Sequence, residues 1–255
     1  MMKRFSSTLL LTVVLSFASH ATEPSVADQY AMLKQQFSQW LVNQKMMQIN
    51  YKLNAEITLD DKHELISGAQ IRYNTQANEC ISYAPHRFFD KHTFAIASAL
   101  STQCQVFITN TAHRNNLNKL GEKSDLGKSR YSVANAFIEA YASTVPSTQI
   151  YQIHGFDASK RRTKQAQSLD VIISQGARPP SEKIKQISQC LNDKVKFKSA
   201  VYPLDVSELG GTKNILNTLT LPKNEFFHIE LSYSARKKLI QQSNLMSGFK
   251  KCITL

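Results

Sequence analysis

Residues 224–233 read NEFFHIELSY, an apolar run interrupted by an imidazole and a carboxylate. Phe226, Phe227, Ile229 and Leu231 give it the composition of a buried strand. Successive side chains on a strand alternate between faces, so His228 and Glu230 project to the same side. Two further stretches offer partners. In APHRFFD, His86 and Asp90 stand four residues apart, so one helical turn after a strand puts both on one face. Imidazole plus carboxylate is a ligand pair suited to zinc. In IHGF, a histidine at a strand end, His154, is followed by Gly155, which leaves a metal approachable and the turn sharp. Three protein ligands and one open position are the pattern of catalytic zinc, whose water approaches a pKa of ~7. A carboxylate that does not bind the metal then has to move the proton, and Glu230, held rigidly on a strand, suits that role.

NTAHRNN (110–116) adds a cation and polar groups. Arg114 can grip a substrate carboxylate with its planar fork. His113 suits either metal ligation or hydrogen bonding to an oxyanion. The asparagines of this loop, Asn115 among them, suit substrate contacts or simple turns. SELGGTKN (207–214) reads as a site-lining loop: Gly210 and Gly211 permit close backbone approach and Asn214 can hydrogen-bond a ligand. An ordinary glycine turn ahead of a short helix fits the same residues. Arg236, in SARKK, is expected on a solvated face.

The elements that must position these groups follow a rhythm. Residues 26–44 carry Tyr30, Leu33, Phe37 and Leu41 at helical spacing. Residues 45–78 are polar, with a hairpin expected in AEITLDDKHELISG. Strands are expected at 80–85, 104–110, 149–156, 169–176, 196–204 and 226–232. Helices are expected at 94–100, 132–144, 181–193, 212–220 and, closing the chain, 234–246. Strands alternating with helices imply one wound, mostly parallel mixed sheet flanked by helices, an α/β fold. Ligands of such sheets bind beyond the carboxyl ends of the strands. Of the six histidines after residue 21, four (86, 113, 154 and 228) fall at or beside those ends.

The first residues address the compartment. MMKR, an apolar run FSSTLLLTVVLSF and small residues in ASHA form a secretory signal with cleavage expected after Ala21. No later stretch is apolar enough to span a membrane. Residues 22–78 then form an N-terminal helix and polar extension, and 79–255 an α/β catalytic domain. Four cysteines in an exported chain favour two disulfides, and Cys80–Cys104 with Cys190–Cys252 keeps each pair within one half. The chain carries a formal net charge of +12, of which Lys3 and Arg4 leave with the signal. A basic exported protein suits anionic partners, or simply a lysine-rich surface. No aromatic interleaving marks a nucleic-acid platform, and nucleic acid is not expected as a partner.

The order His-x-x-x-Asp, an Asn/Arg loop, Ile-His-Gly and His-x-Glu-Leu resembles zinc-dependent amidohydrolases and exopeptidases of the zinc-carboxypeptidase, phosphorylase/hydrolase-like fold. The closest likeness is to the N-formylglutamate amidohydrolase and poly-γ-glutamate hydrolase branch, and it covers roughly residues 80–245. It implies His86, Asp90 and His154 as ligands of one zinc ion, Glu230 as the base and Arg114 as a carboxylate anchor. One departure matters: carboxypeptidases proper use His-x-x-Glu, and here the acid comes one residue later and is an aspartate. That leaves the second ligand open between Asp90 and His113.

The expected function is an exported, periplasmic or secreted zinc hydrolase of an amide bond. Its expected substrate is peptide-like or an anionic polymer, a polyglutamate or a cell-wall peptide. A serine hydrolase is disfavoured because no Gly-x-Ser-x-Gly elbow occurs. A secreted metal nuclease and a metal-free ligand-binding module stand as rivals.

Overall fold

The structure, a computed structural model, describes residues 24–47, 54–59, 67–219, 221 and 225–255. The expected signal segment, residues 1–21, lies outside the described residues. One eight-stranded mixed sheet organises the chain, in the order β1-β2-β4-β3-β5-β8-β6-β7. Its strands are β1 (Asn54–Leu59), β2 (Ala69–Asn74), β3 (Asn78–Ala84), β4 (Cys104–Asn110), β5 (Gln149–Phe156), β6 (Val171–Ser174), β7 (Ser199–Val201) and β8 (Glu225–Ser232). The pairs β3/β4, β3/β5, β5/β8 and β6/β7 are parallel. The pairs β1/β2, β2/β4 and β6/β8 are antiparallel. Hence the fold is the expected α/β class. Of the stretch where a hairpin is expected (55–68), residues 60–66 lie outside the described residues; β1 covers its start and pairs antiparallel with β2, which begins just after it, and both extend the same sheet as the later strands.

Helices cover both faces. α1 (Val26–Met47) and α3 (Val133–Thr144) lie on one side, in a core that includes Ile81, Val106, Ile150 and Phe226. α2 (Thr93–Leu100), α5 (Glu182–Cys190), α6 (Tyr233–Gln241) and α7 (Ser243–Ile253) lie on the other, with Tyr151, Ile153, Phe227 and Leu231. A short 3-10 turn (Ala158–Lys160) and a short helix, α4 (Lys164–Ser168), follow β5. The spacing of Tyr30, Phe37 and Leu41 works as expected. All three are buried against α3, with Phe37 edge-on to Phe137 at 5.1 Å between ring centres. Burying one such aromatic contributes roughly 1.5–3 kcal/mol. A buried carboxylate, Glu139, ties the two helices further by accepting from Tyr30 Oη at 2.9 Å and pairing with Lys34 at 3.2 Å and Arg130 at 3.1 Å.

Several elements differ from expectation, among them β6, expected over 169–176 and spanning Val171–Ser174. β7 stops at Val201, because the Val201 amide donates to Asp205 Oδ2 (2.8 Å) and Pro203 has no amide to offer a ladder. α5 runs into a wider turn, Leu191–Val195, rather than ending. The expected helix at 212–220 is a single tight turn, Ile215–Asn217. The expected closing helix is two: Gln242 takes an extended conformation, and α7 then continues so that Phe249, Cys252 and Ile253 reach the core. Both disulfides pair as expected, Cys80–Cys104 (Cα–Cα 4.7 Å) and Cys190–Cys252 (5.5 Å). Among the described residues no helix is long and apolar enough to cross a membrane.

The winding places a site. β3 leads through α2 to β4 on one side of it, and β4 leads through α3 back across β3 to β5 on the other. Strand order therefore reverses at β3/β5, the position where open α/β sheets leave a crevice beyond their carboxyl ends.

Candidate active site

β8 explains its own sequence. Phe227, Ile229 and Leu231 face the α2/α6/α7 core, while Phe226 packs toward α1 and α3. Beyond Phe226, on that same face, apolar cover ends, and His228 and Glu230 line a cleft of about 210 Å³. β5 repeats the change: Ile150 is core, then Gln152 and His154 follow on the same face. Register sets Gln152 opposite His228 and His154 opposite Glu230.

His86 and Asp90 come from the chain leaving β3. The Asp90 amide bonds to the His86 carbonyl at 2.8 Å, closing the single turn that the four-residue spacing predicts. Asp90 Oδ2 then sits 3.4 Å from Nδ1 of His86 and 3.5 Å from Nδ1 of His154, and accepts the Gly155 amide at 3.2 Å. All three side chains are buried. A second group, His154, His228 and Glu230, has ligand atoms within 4.8 Å of one another.

Proton positions follow from the partners. His86 Nε2 lies 2.7 Å from Asp125 Oδ1, an acceptor, so Nε2 carries the hydrogen. Arg114 Nη1, which only donates, is 3.1 Å from His86 Nδ1, so Nδ1 presents a lone pair. His154 Nε2 lies 2.9 Å from Gln152 Oε1, which leaves its Nδ1 as the lone pair. Nδ1 of His86, which also accepts from Arg114 Nη1, and Nδ1 of His154 thus both face Asp90 Oδ2. Ligand atoms about 2.0–2.2 Å from a tetrahedral zinc stand roughly 3.3–3.6 Å apart. The 3.4 and 3.5 Å separations match that, and each histidine gives its other nitrogen to an outer acceptor as metal-bound histidines do. The donor set fits zinc.

Electrostatics sort the groups. Burial disfavours a charged His86, but the hydrogen bond to Asp125 and the adjoining Asp90 carboxylate outweigh it and raise its pKa. Burial lowers His154 to about 4, aided by His86, and pushes His228 well below the usual histidine range. Burial also works against the Asp90 carboxylate, yet the adjoining His154 and His86 imidazoles hold it far below the usual range. Glu230 has no such donor. Its Oε2 is buried without a partner, His228 Nε2 is 3.7 Å from Oε1, and burial with nearby Asp90 raises it to about 8.

The remaining expectations divide. Arg114 lines the cleft, with Nη2 on Asp125 Oδ2 at 2.5 Å. His113 and Asn115 do not join it. The turn after β4 points His113 against the exposed Phe89 ring, 5.7 Å away, and His113 Nδ1 accepts the Asn115 amide at 3.2 Å. His113 belongs to neither metal-capable group among the described residues, and Asp90 stands where the second ligand was left open. Asn214 lines the cleft, but its Oδ1 accepts the Leu216 amide and its Nδ2 donates to Gln152. Gly155 differs from expectation. It lies within β5, and its missing side chain makes room for the Arg236 guanidinium, which a Cβ would meet at 2.2 Å. Arg236 in turn is buried rather than solvated, with Nη1 donating to the Lys91 carbonyl at 2.6 Å and Nη2 to that of Phe156 at 3.3 Å. Gly211 is needed for its left-handed φ of 61° and because a Cβ there would stand 2.6 Å from the His228 ring.

Asp125, Gln152 and the cleft lysines Lys128 and Lys213 escaped the sequence reading. Asp125 sits in a loop with no periodicity, and Gln152 looks like an ordinary residue of a strand. Across the Leu209–Lys213 strip lies a second pocket of about 360 Å³ bordered by Lys160, Arg161 and Arg162.

No family model matches the chain, and no curated protein matches it. Among solved structures it is similar to N-formylglutamate amidohydrolase from Ralstonia eutropha JMP134, with 11% identity, 70% of this chain and 94% of that chain covered, and a TM-score of 0.45. It is also similar to a candidate metallopeptidase from Shewanella baltica OS155 (10% identity, 89% and 90% covered, TM-score 0.36). A third, from Shewanella denitrificans OS217, has 9% identity, 89% and 88% covered and a TM-score of 0.34. Identity this low leaves the site to this chain's own side chains.

Proposed function

We propose that the protein is an exported zinc hydrolase of an amide bond in an acidic, peptide-like substrate. One observation carries the reading: Nδ1 of His86 and Nδ1 of His154 each lie within 3.5 Å of Asp90 Oδ2, beside a buried glutamate whose Oε2 has no partner. His86, Asp90 and His154 would hold the ion. Zinc supplies Lewis acidity toward the carbonyl and acidifies a water. Glu230 takes the proton of the attacking water and delivers it to the leaving nitrogen. Its raised pKa suits the second half of that cycle, and a cation beside it favours the ionised form needed for the first. Arg114, on the cleft wall, has its fork engaged by His86 and Asp125, so it attracts a substrate carboxylate by its charge. Lys128 and Lys213 beside it, and Arg161 beyond the Leu209–Lys213 strip, make the approach positive and favour an acidic chain such as a polyglutamate or a cell-wall peptide. The two disulfides agree with an oxidising compartment.

Metal analysis with a peptide panel tests this. The expected result is one zinc per chain and release of amine from acidic peptides, abolished in Glu230→Gln with zinc retained. Absence of metal in every preparation, with melting unchanged by chelator, would favour a binding module. DNA cleavage that survives Glu230→Gln would favour a nuclease.

A further inference from the structure

The two histidines that face Asp90 are held from behind by different chemistry. His86 gives its Nε2 hydrogen to a carboxylate, Asp125. His154 gives its own to an amide, Gln152, which is fully buried in the middle of β5. Gln152 is an unfavourable residue there, since its Nε2 has no partner. Its Oε1, however, is used twice, by His154 Nε2 at 2.9 Å and by Asn214 Nδ2 at 2.6 Å.

An amide alone could present either end. Here the orientation is imposed from outside the strand. Asn214 caps the tight turn Ile215–Asn217, where its Oδ1 accepts the Leu216 amide at 3.1 Å. That leaves Nδ2 to face Gln152, and a donor facing Gln152 requires Oε1 at that place. An acceptor at 2.9 Å draws the hydrogen of His154 to Nε2, and Nδ1, at the longer 3.5 Å from Asp90 Oδ2, keeps its lone pair. We propose that Asn214 and Gln152 are positioning residues that hold His154 in its Nε2–H tautomer and so present Nδ1 as a metal-ligand atom. The tautomer stands on geometry alone; the ligand role rests on the proposed zinc site. A neutral amide achieves this without adding a fourth carboxylate to Asp90, Asp125 and Glu230. It also explains why a cleft-lining asparagine keeps no amide atom for substrate.

Nitrogen-resolved NMR of the metal-free protein at neutral pH reads which ring nitrogen of His154 is protonated. Competition with a chromophoric chelator reads zinc affinity. The wild type is expected to show Nε2–H. Gln152→Leu, close in volume, should lose that preference and bind zinc about 10–100-fold more weakly with its circular dichroism unchanged. Gln152→Glu, which restores an acceptor, should recover the tautomer and most of the affinity, as a packing role would not require. Asn214→Ala should lower the affinity in the same direction. A wild-type His154 protonated on Nδ1 overturns the inference, as does unchanged zinc affinity in a folded Gln152→Leu. Should Gln152→Leu fail to fold, the wild-type tautomer and Gln152→Glu decide. If the protein takes up no zinc, the hydrolase reading fails while the tautomer still decides the relay. If amide hydrolysis and affinity survive Gln152→Leu intact, the relay fails and the hydrolase reading stands.

Discussion

His154 on β5 and Glu230 on β8 are register partners on adjacent parallel strands. Their spacing is therefore set by the sheet ladder, about 4.8 Å between strands, rather than by a loop. A one-residue slip would send both into the apolar core on the opposite face, so burial of Tyr151, Ile153, Phe227 and Ile229 is what fixes the site's register.

The first prediction separates ligands from base. His86→Ala, Asp90→Ala and His154→Ala should each lose zinc by more than the ~10–100-fold typical of an outer partner. Glu230→Gln should keep the metal and lose roughly 10²–10⁴ in kcat. Metal analysis beside a peptide assay reads both, and a zinc-free Glu230→Gln would make Glu230 a ligand instead.

The second concerns pH. Glu230 is raised from 4.5 to about 8 in the folded, metal-free chain. Between those values the folded state holds a proton that the unfolded state has released. Stability therefore falls as pH rises through this window, by on the order of a few kcal/mol. Glu230→Gln removes the group, so the variant's melting temperature in chelator should decline less between pH 5 and pH 9 than the wild type's. Parallel curves would contradict the assignment.

The third isolates a close approach. Gly211→Ala places a methyl 2.6 Å from the His228 ring at a φ of 61°, whereas Gly121→Ala at φ 74° meets nothing within 4 Å. Both incur roughly 1–2 kcal/mol for the left-handed backbone. Only Gly211→Ala should go further, by about 1–3 kcal/mol for overpacking, and disturb the cleft. Denaturant unfolding of the pair reads the difference.

The fourth concerns the cross-links. Loop-closure entropy gives about 3 kcal/mol for Cys80–Cys104, which closes 24 residues, and about 4 kcal/mol for Cys190–Cys252, which closes 62. Replacing the second pair by alanine should cost more, because it also frees α7 from the α5 side of the core. Equal losses would show that chain entropy is not the main effect.

What the sequence by itself determined was local. Period-two and period-3.6 patterns marked the strands and helices, His86 and Asp90 were one turn apart, and His228 and Glu230 had to share a face. Even there, boundaries failed where a side chain intervened, as Asp205 does at the end of β7. Tertiary structure decided the rest, because the partners that give these groups their chemistry come from distant elements. Asp125 reaches His86 across 39 residues, and Asn214 reaches Gln152 across 62. Neither lies on a periodic element whose pattern predicts its neighbours. Arg236 shows the same limit: a basic helix turn reads as solvated, and only the carbonyls of Lys91 and of Phe156 at the end of β5, with the room left by Gly155, draw it inside. Periodicity encodes which face a residue takes, and only the folded chain decides what stands opposite it.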